Sequence, residues 1–179
     1  MPRTWLALSR CLLCSLLAVA SAPAFAQKPD EYQVKAAFVA NFSGFVEWPS
    51  TVFHSPSEPF SICVFGRNPF GGALESVVAG KSTGEHPLIV RTTADLLQLA
   101  TCQIVFVSAS ERLRYRAVLD NLKATSALTV GDTVDFLSEG GMIALRVDGG
   151  RIRMQINPEA ATERRLHISA HLLQLAGGH

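Results

Sequence analysis

The chain lacks a basic block, a glycine-rich phosphate loop and any second long apolar run, and each absence removes a class of function. With 16 Lys and Arg against 15 Asp and Glu, the formal net charge is +1, too balanced for a nucleic-acid surface. The glycines around Gly66 and in Asn68-Pro69-Phe70-Gly71-Gly72 fit neither G-x-G-x-x-G nor the P-loop spacing. No Ser/His/Asp order, paired carboxylates or Cys-His pair stands out. His54, His86 and His179 fall in expected loops or at the terminus, a scatter that speaks against a designed acid/base site. Internal repeats, low-complexity tracts and dividing linkers are absent as well, so a single domain is expected.

What the chain does have begins with a leader. Arg3 and Arg10 precede an apolar run from Cys11 to Ala20, and Ala24-Phe25-Ala26 supplies the small-x-small pattern of a processing site. The run is shorter than the ~18 residues of a spanning helix. A cleavable signal peptide over 1–26 is therefore expected in preference to a membrane anchor, with export to the periplasm and no direct membrane insertion afterwards. Residues 27–179 then form the domain. Loss of Arg3 and Arg10 takes the formal charge from +1 to −1, and loss of Cys11 and Cys14 leaves Cys63 and Cys102. In an exported protein such a pair favours a disulfide over a metal pair or two buried thiols.

The domain alternates strands and helices. Ile104–Val107 is a continuous apolar run too short for a helix, the habit of a strand buried on both faces, and Phe60–Gly66 reads as a second such strand. His86–Arg91 and Ala127–Val130 read as further strands. Ser110 is placed to cap a helix over 111–123 whose apolar side is Leu113, Val118, Leu119 and Leu122. Asn68 caps and Pro69 opens a turn into a helix over 73–79. Ile143, Leu145 and Val147 alternate against Arg146, and Ile152, Met154 and Ile156 against Arg151 and Arg153, around Asp148-Gly149-Gly150. That is a hairpin with one wet face. The expected fold is α/β: a single-domain three-layer sandwich with a mostly parallel Rossmann-like sheet and a C-terminal antiparallel hairpin.

Candidate binding residues come in two groups. Val34, Phe38, Asn41, Phe42, Phe45 and Trp48 fall in one arc of a helix spanning 30–48 at 100° per residue. Such a face is core or an oligomer interface, or else a partner-binding surface. Arg164, Arg165 and His167 form a basic group suited to an acidic ligand or partner, or a solvated face. His167 and His171 stand four apart, but Ser169 between them reads as a helix cap, and no third ligand is evident. No metal and no cofactor is expected. A small-ligand pocket, if one exists, is expected at the carboxyl ends of the strands, lined by the loops after Gly66, Ser108 and Gly131.

Taken together, several segments resemble the YfiR family of periplasmic proteins. They are Glu31-Tyr-Gln-Val-Lys-Ala-Ala-Phe38, Phe45-Val-Glu-Trp-Pro49, Phe60-x-Ile-Cys-Val-x-Gly66 and Asn68-Pro-Phe-Gly71. Cys102-Gln-Ile-Val-Phe-Val-Ser108, Leu128-Thr-Val-Gly131, Gly140-Gly-Met-Ile143, Arg151-Ile-Arg-x-x-Ile-Asn157 and Leu166-His-Ile-Ser169 continue the series in order. The resemblance implies a small periplasmic α/β repressor with no catalytic role. It would bind the sensor domain of an inner-membrane diguanylate cyclase and lower cyclic-di-GMP synthesis and biofilm formation. It also implies a homodimer, and a disulfide between Cys63 and Cys102. Redox-responsive members carry a second cysteine pair around the segment equivalent to 135–145, which this chain lacks, so the pair is expected to be structural. The partner-binding residues expected are Arg165, His167, Phe38, Phe42, Phe45 and Trp48. The alternative is a periplasmic small-ligand binding or sensing protein.

Overall fold

A computed structural model describes residues 30–177; the expected leader and its cysteines, and His179, lie outside them. The chain runs α1 (Glu31–Asn41), β1 (Val46–Glu47), β2 (Phe60–Phe65), α2 (Ala73–Val78), β3 (Ser82–Thr83), β4 (His86–Thr93) and β5 (Ile104–Val107). It continues through α3 (Tyr115–Asn121), β6 (Leu128–Gly131), β7 (Ile143–Asp148), β8 (Arg151–Ile156), α4 (Pro158–Glu163), β9 (His167–Ile168) and α5 (Ala170–Gly177).

Seven strands form one sheet in the order β3-β4-β2-β5-β6-β7-β8, with β1 and β9 paired separately. β4, β2, β5, β6 and β7 are parallel, and β3 and β8 add antiparallel edges. From β2 the chain moves to one side, to β4, and then crosses back to build the other side, so order reverses between β2 and β5. The burial follows the sequence pattern. Every residue of β2, β5 and β6 is buried, whereas β8 alternates.

Each face of the sheet carries its own core. On one, Ile62, Val64, Ile104, Phe106 and Leu145 pack under α1, α2 and α5 through Val39, Leu74 and Leu172. On the other, Phe65, Val105 and Val107 meet Leu99, Tyr115, Val118 and Phe136. Three layers result, as the alternation predicts. Cys63 and Cys102 are joined by a disulfide with a Cα separation of 5.9 Å.

Local chemistry moves several boundaries. The expected helix over 30–48 stops at Asn41; a 3-10 turn over Phe42–Gly44 follows, and the chain is extended by Val46. The 111–123 helix is wound as a 3-10 segment over Ala109–Arg114 before α3 begins. Tighter winding rotates Leu113 fully into solvent and turns Tyr115 inward, edge-on to Phe136 at 5.1 Å. Ser108, not Ser110, caps that segment, while Ser110 Oγ accepts from the Arg67 N–H at 3.0 Å. Asn68 closes an Asx-type turn on Phe70 N rather than capping α2.

Phe136 is seated between two glycines. A Cβ on Gly131 would lie 2.4 Å from its ring and one on Gly141 2.3 Å from it and 2.8 Å from its carbonyl oxygen. Gly141→Ala therefore lowers stability by about 1–3 kcal/mol, the usual cost of overpacking. A urea midpoint unchanged from the parent contradicts this.

A buried polar knot ties α1 to the end of β6. Lys35 Nζ pairs with Asp132 Oδ2 at 3.3 Å and with Glu31, and Tyr32 donates its hydroxyl to Asp132 Oδ2 at 2.8 Å. Burial, reinforced by the Asp132 carboxylate, pushes the Tyr32 phenol well up. Burial also raises Tyr115. A raised folded-state value means that the folded protein holds its phenolic protons more tightly than the unfolded chain. This stability is complete below the ordinary tyrosine value of ~10 and is lost as pH climbs above it. With two tyrosines in the chain, phenolate absorbance should rise only in step with loss of the circular-dichroism signal. A phenol titrating near its ordinary value in the folded protein contradicts that.

Candidate functional site

The two groups of expected binding residues are far apart in sequence, and part of each meets in space. β1 and β9 pair antiparallel, with Val46 opposite Ile168 and Glu47 opposite His167. Ser169 N–H donates to the Phe45 carbonyl at 2.9 Å, and the Phe45 and His171 rings lie 5.7 Å apart. Trp48 leaves β1 to stand edge-on to Phe60 at 4.9 Å, and its indole N–H donates to the Gln103 carbonyl at 3.2 Å. Gln103 is itself fixed: its Oε1 accepts from Ser61 N–H at 2.7 Å. Half-buried Phe45 thus sits beside exposed His171 next to the exposed Glu47–His167 pair, while half-buried Trp48, following Glu47, turns to Phe60 and Gln103.

Arg165 joins them by an unusual backbone. It is the one non-glycine among the described residues with positive φ, at 59°. α4 ends in a Schellman motif, with Leu166 N–H donating to the Ala161 carbonyl and Arg165 N–H to that of Thr162. Arginine occupies the position that glycine prefers, and its side chain reaches a cavity of about 310 Å³. His54, Glu58, Cys102 and Gln103 also line it. The cavity lies before the first residues of β2 and β5, at the amino ends of the parallel strands.

Phe42 and Phe38 do not join this group. Phe42 is buried in the core at 1% exposure, and Phe38 faces a separate groove with Val147 and Ile152. The 100° projection fails after Asn41, because the chain is no longer helical there. At the carboxyl end of β2, Glu111 and Ser110 side chains lie 2.6–2.7 Å from where a Cβ on Gly66 would stand. Sequence reasoning missed Glu47 and Gln103. The alternation in Val46-Glu47-Trp48 and the one polar residue heading the β5 run were the available signals.

His167 lies on β9 and His171 on α5. Among the described residues no group of three or more His, Cys, Asp or Glu is arranged to hold a metal, and no helix is long and apolar enough to cross a membrane.

The fold is a three-layer, doubly wound α/β sandwich, with aromatic and charged side chains gathered toward the amino end of its sheet. The chain belongs to the YfiR/HmsC-like family, whose profile matches residues 32–177. This is a regulatory family of periplasmic proteins that act on diguanylate cyclases. No curated protein matches the sequence. Among solved structures, the ABC domain in complex with L-Trp from Streptococcus pneumonia is similar, with a TM-score of 0.54 at 10% identity. The match covers 79% of this chain and 59% of that one, and it establishes a shared fold alone.

Proposed function

We propose that this protein is exported by its leader over 1–26 and, as a homodimer, binds the periplasmic sensor domain of an inner-membrane diguanylate cyclase. Binding represses the cyclase and lowers cyclic-di-GMP and biofilm formation, with no catalysis and no cofactor on the protein's own side. The observation that carries this reading is the convergence of Phe45 and Trp48 with His167 on the β1–β9 pair, beside Arg165. Phe42 supports that surface only by holding the turn after α1 from within the core, and Phe38 lies apart from it, in the groove with Val147 and Ile152. Repression requires preference for the inactive sensor state, because equal affinity for both states shifts nothing. Pull-down of the exported protein with a membrane cyclase tests this. A complex under oxidising and reducing conditions is expected, and failure to form one under either sinks the reading.

Arg165→Gly separates folding from binding. A non-glycine residue in the left-handed region costs about 1 kcal/mol, so the glycine variant is expected to raise the urea midpoint while weakening the complex. A variant that is less stable, or that binds unchanged, contradicts the role given to Arg165.

The polar cavity beside Arg165 supports a second reading, small-ligand sensing, and the solved structure of similar fold holds L-Trp. A thermal-shift screen distinguishes it, since a ligand that binds only the folded state raises the melting point by mass action.

A further inference from the structure

The free edge of β8 is built to receive a strand. Asn157 N–H donates to the Met142 carbonyl at 2.8 Å, and the β7–β8 register continues from that pair. Antiparallel alternation then points the N–H and C=O groups of Arg151, Arg153 and Gln155 inward to β7, and those of Ile152, Met154 and Ile156 outward. β8 is the last strand of the sheet, so these three residues carry its unpaired ladder, with Ile152 and Ile156 half-buried and Met154 between them buried.

The two faces flanking this edge differ in chemistry. On one, Arg146 stands directly opposite Arg153, and Arg151 opposite Asp148. Like charges opposed across a strand pair are unfavourable, and compensation is thin: Arg153 Nε lies 3.8 Å from Asp148 Oδ2. Arg146 forms no ion pair among the described residues, and the Nε atoms of Arg146 and Arg153 are buried without hydrogen-bond partners. On the other face, beside the start of β8, an apolar groove of about 540 Å³ opens between α1 and the hairpin, walled by Val34, Phe38, Val147 and Ile152, with Arg151 at its hairpin end. Glu31 at its rim is already engaged by Lys35.

We propose that the β8 edge docks an extended segment of another protein in which apolar and acidic residues alternate. Main-chain bonds to Ile152, Met154 and Ile156 hold it; its apolar side chains enter the groove and its carboxylates meet Arg151 and Arg153. A second copy is the poorer occupant, because β8 against β8 adds further arginines to a face already short of anions. This surface is separate from the β1–β9 pair.

A short peptide alternating valine and glutamate, with one alternating valine and lysine as its counterpart, tests the idea on the purified protein. The acidic peptide is expected to bind about tenfold or more tightly than the basic one, as charge complementarity requires. It should also slow amide exchange at Ile152, Met154 and Ile156. Ile152→Pro removes one outward donor without touching a β7 bond and should abolish binding. Arg153→Glu, which leaves the backbone intact, should reverse the peptide preference. Equal affinity for both peptides overturns the proposal, as does no binding at all, which would leave the arginines as mere guards of the edge. Self-association that buries the same amides and is released by Ile152→Pro overturns it too.

Discussion

Replacing Asp132 with alanine is expected to lower the stability of the fold by about 3–5 kcal/mol, the cost of leaving a buried charge without its partner. The Lys35 and Asp132 side chains are only 2% and 4% exposed. Lys35 would keep Glu31, which is 40% exposed, and Tyr32 would lose its acceptor. Because the harm comes from a buried ammonium left with the part-exposed Glu31 as its one carboxylate partner, Lys35→Met added to Asp132→Ala should recover much of the loss. Residues in contact are not additive, and that departure is what the double-mutant cycle measures. Urea midpoints of the four proteins decide it. A single-variant loss below about 1 kcal/mol, the level of a surface pair, contradicts the picture of α1 pinned to the end of β6.

Removing the disulfide is the second large effect. Cys63 and Cys102 are 39 residues apart in sequence and both buried, and closing a loop of that length contributes roughly 3–4 kcal/mol by restricting the unfolded chain. Reductant, or the paired Cys63→Ala and Cys102→Ala substitution, should lower the denaturation midpoint accordingly, with the folded spectrum kept. A midpoint insensitive to reductant contradicts a structural role. With no second cysteine pair in residues 135–145, reduction should weaken the fold without acting as a switch between two bridges.

The sheet was legible because its signals are local. Predominantly apolar runs marked β2 and β5, and Asp148-Gly149-Gly150 between two alternating segments marked the hairpin and its register. Ser169 between His167 and His171 marked the break that puts them on different elements. The site was legible only in pieces. Nothing near Val46 says that Ile168 will be its partner, and nothing near Lys35 points to Asp132, 97 residues away. A Lys in an amphipathic helix reads as solvated, yet here it is buried at 1% exposure. The aromatic arc failed for a physical reason: periodicity carries across a helix but not through its end, and the 3-10 turn at Phe42–Gly44 sends Phe38 and Trp48 to different places.

That divergence reshapes the proposed binding surface. An unbroken helix would have presented four aromatic residues as one stripe. The folded chain instead buries Phe42, gives Phe38 to the groove beside β8, and delivers Phe45 and Trp48 to the strand pair with His167. Two surfaces follow, at opposite ends of α1 and its turn.

Cyclic-di-GMP synthesis by membranes carrying the cognate cyclase, measured with and without this protein, tests the central claim most directly. The rate is expected to fall on addition of the parent protein and to stay high with a folded Trp48→Ala, His167→Ala variant. A rate untouched by the parent, or lowered equally by the variant, contradicts repression through the β1–β9 surface.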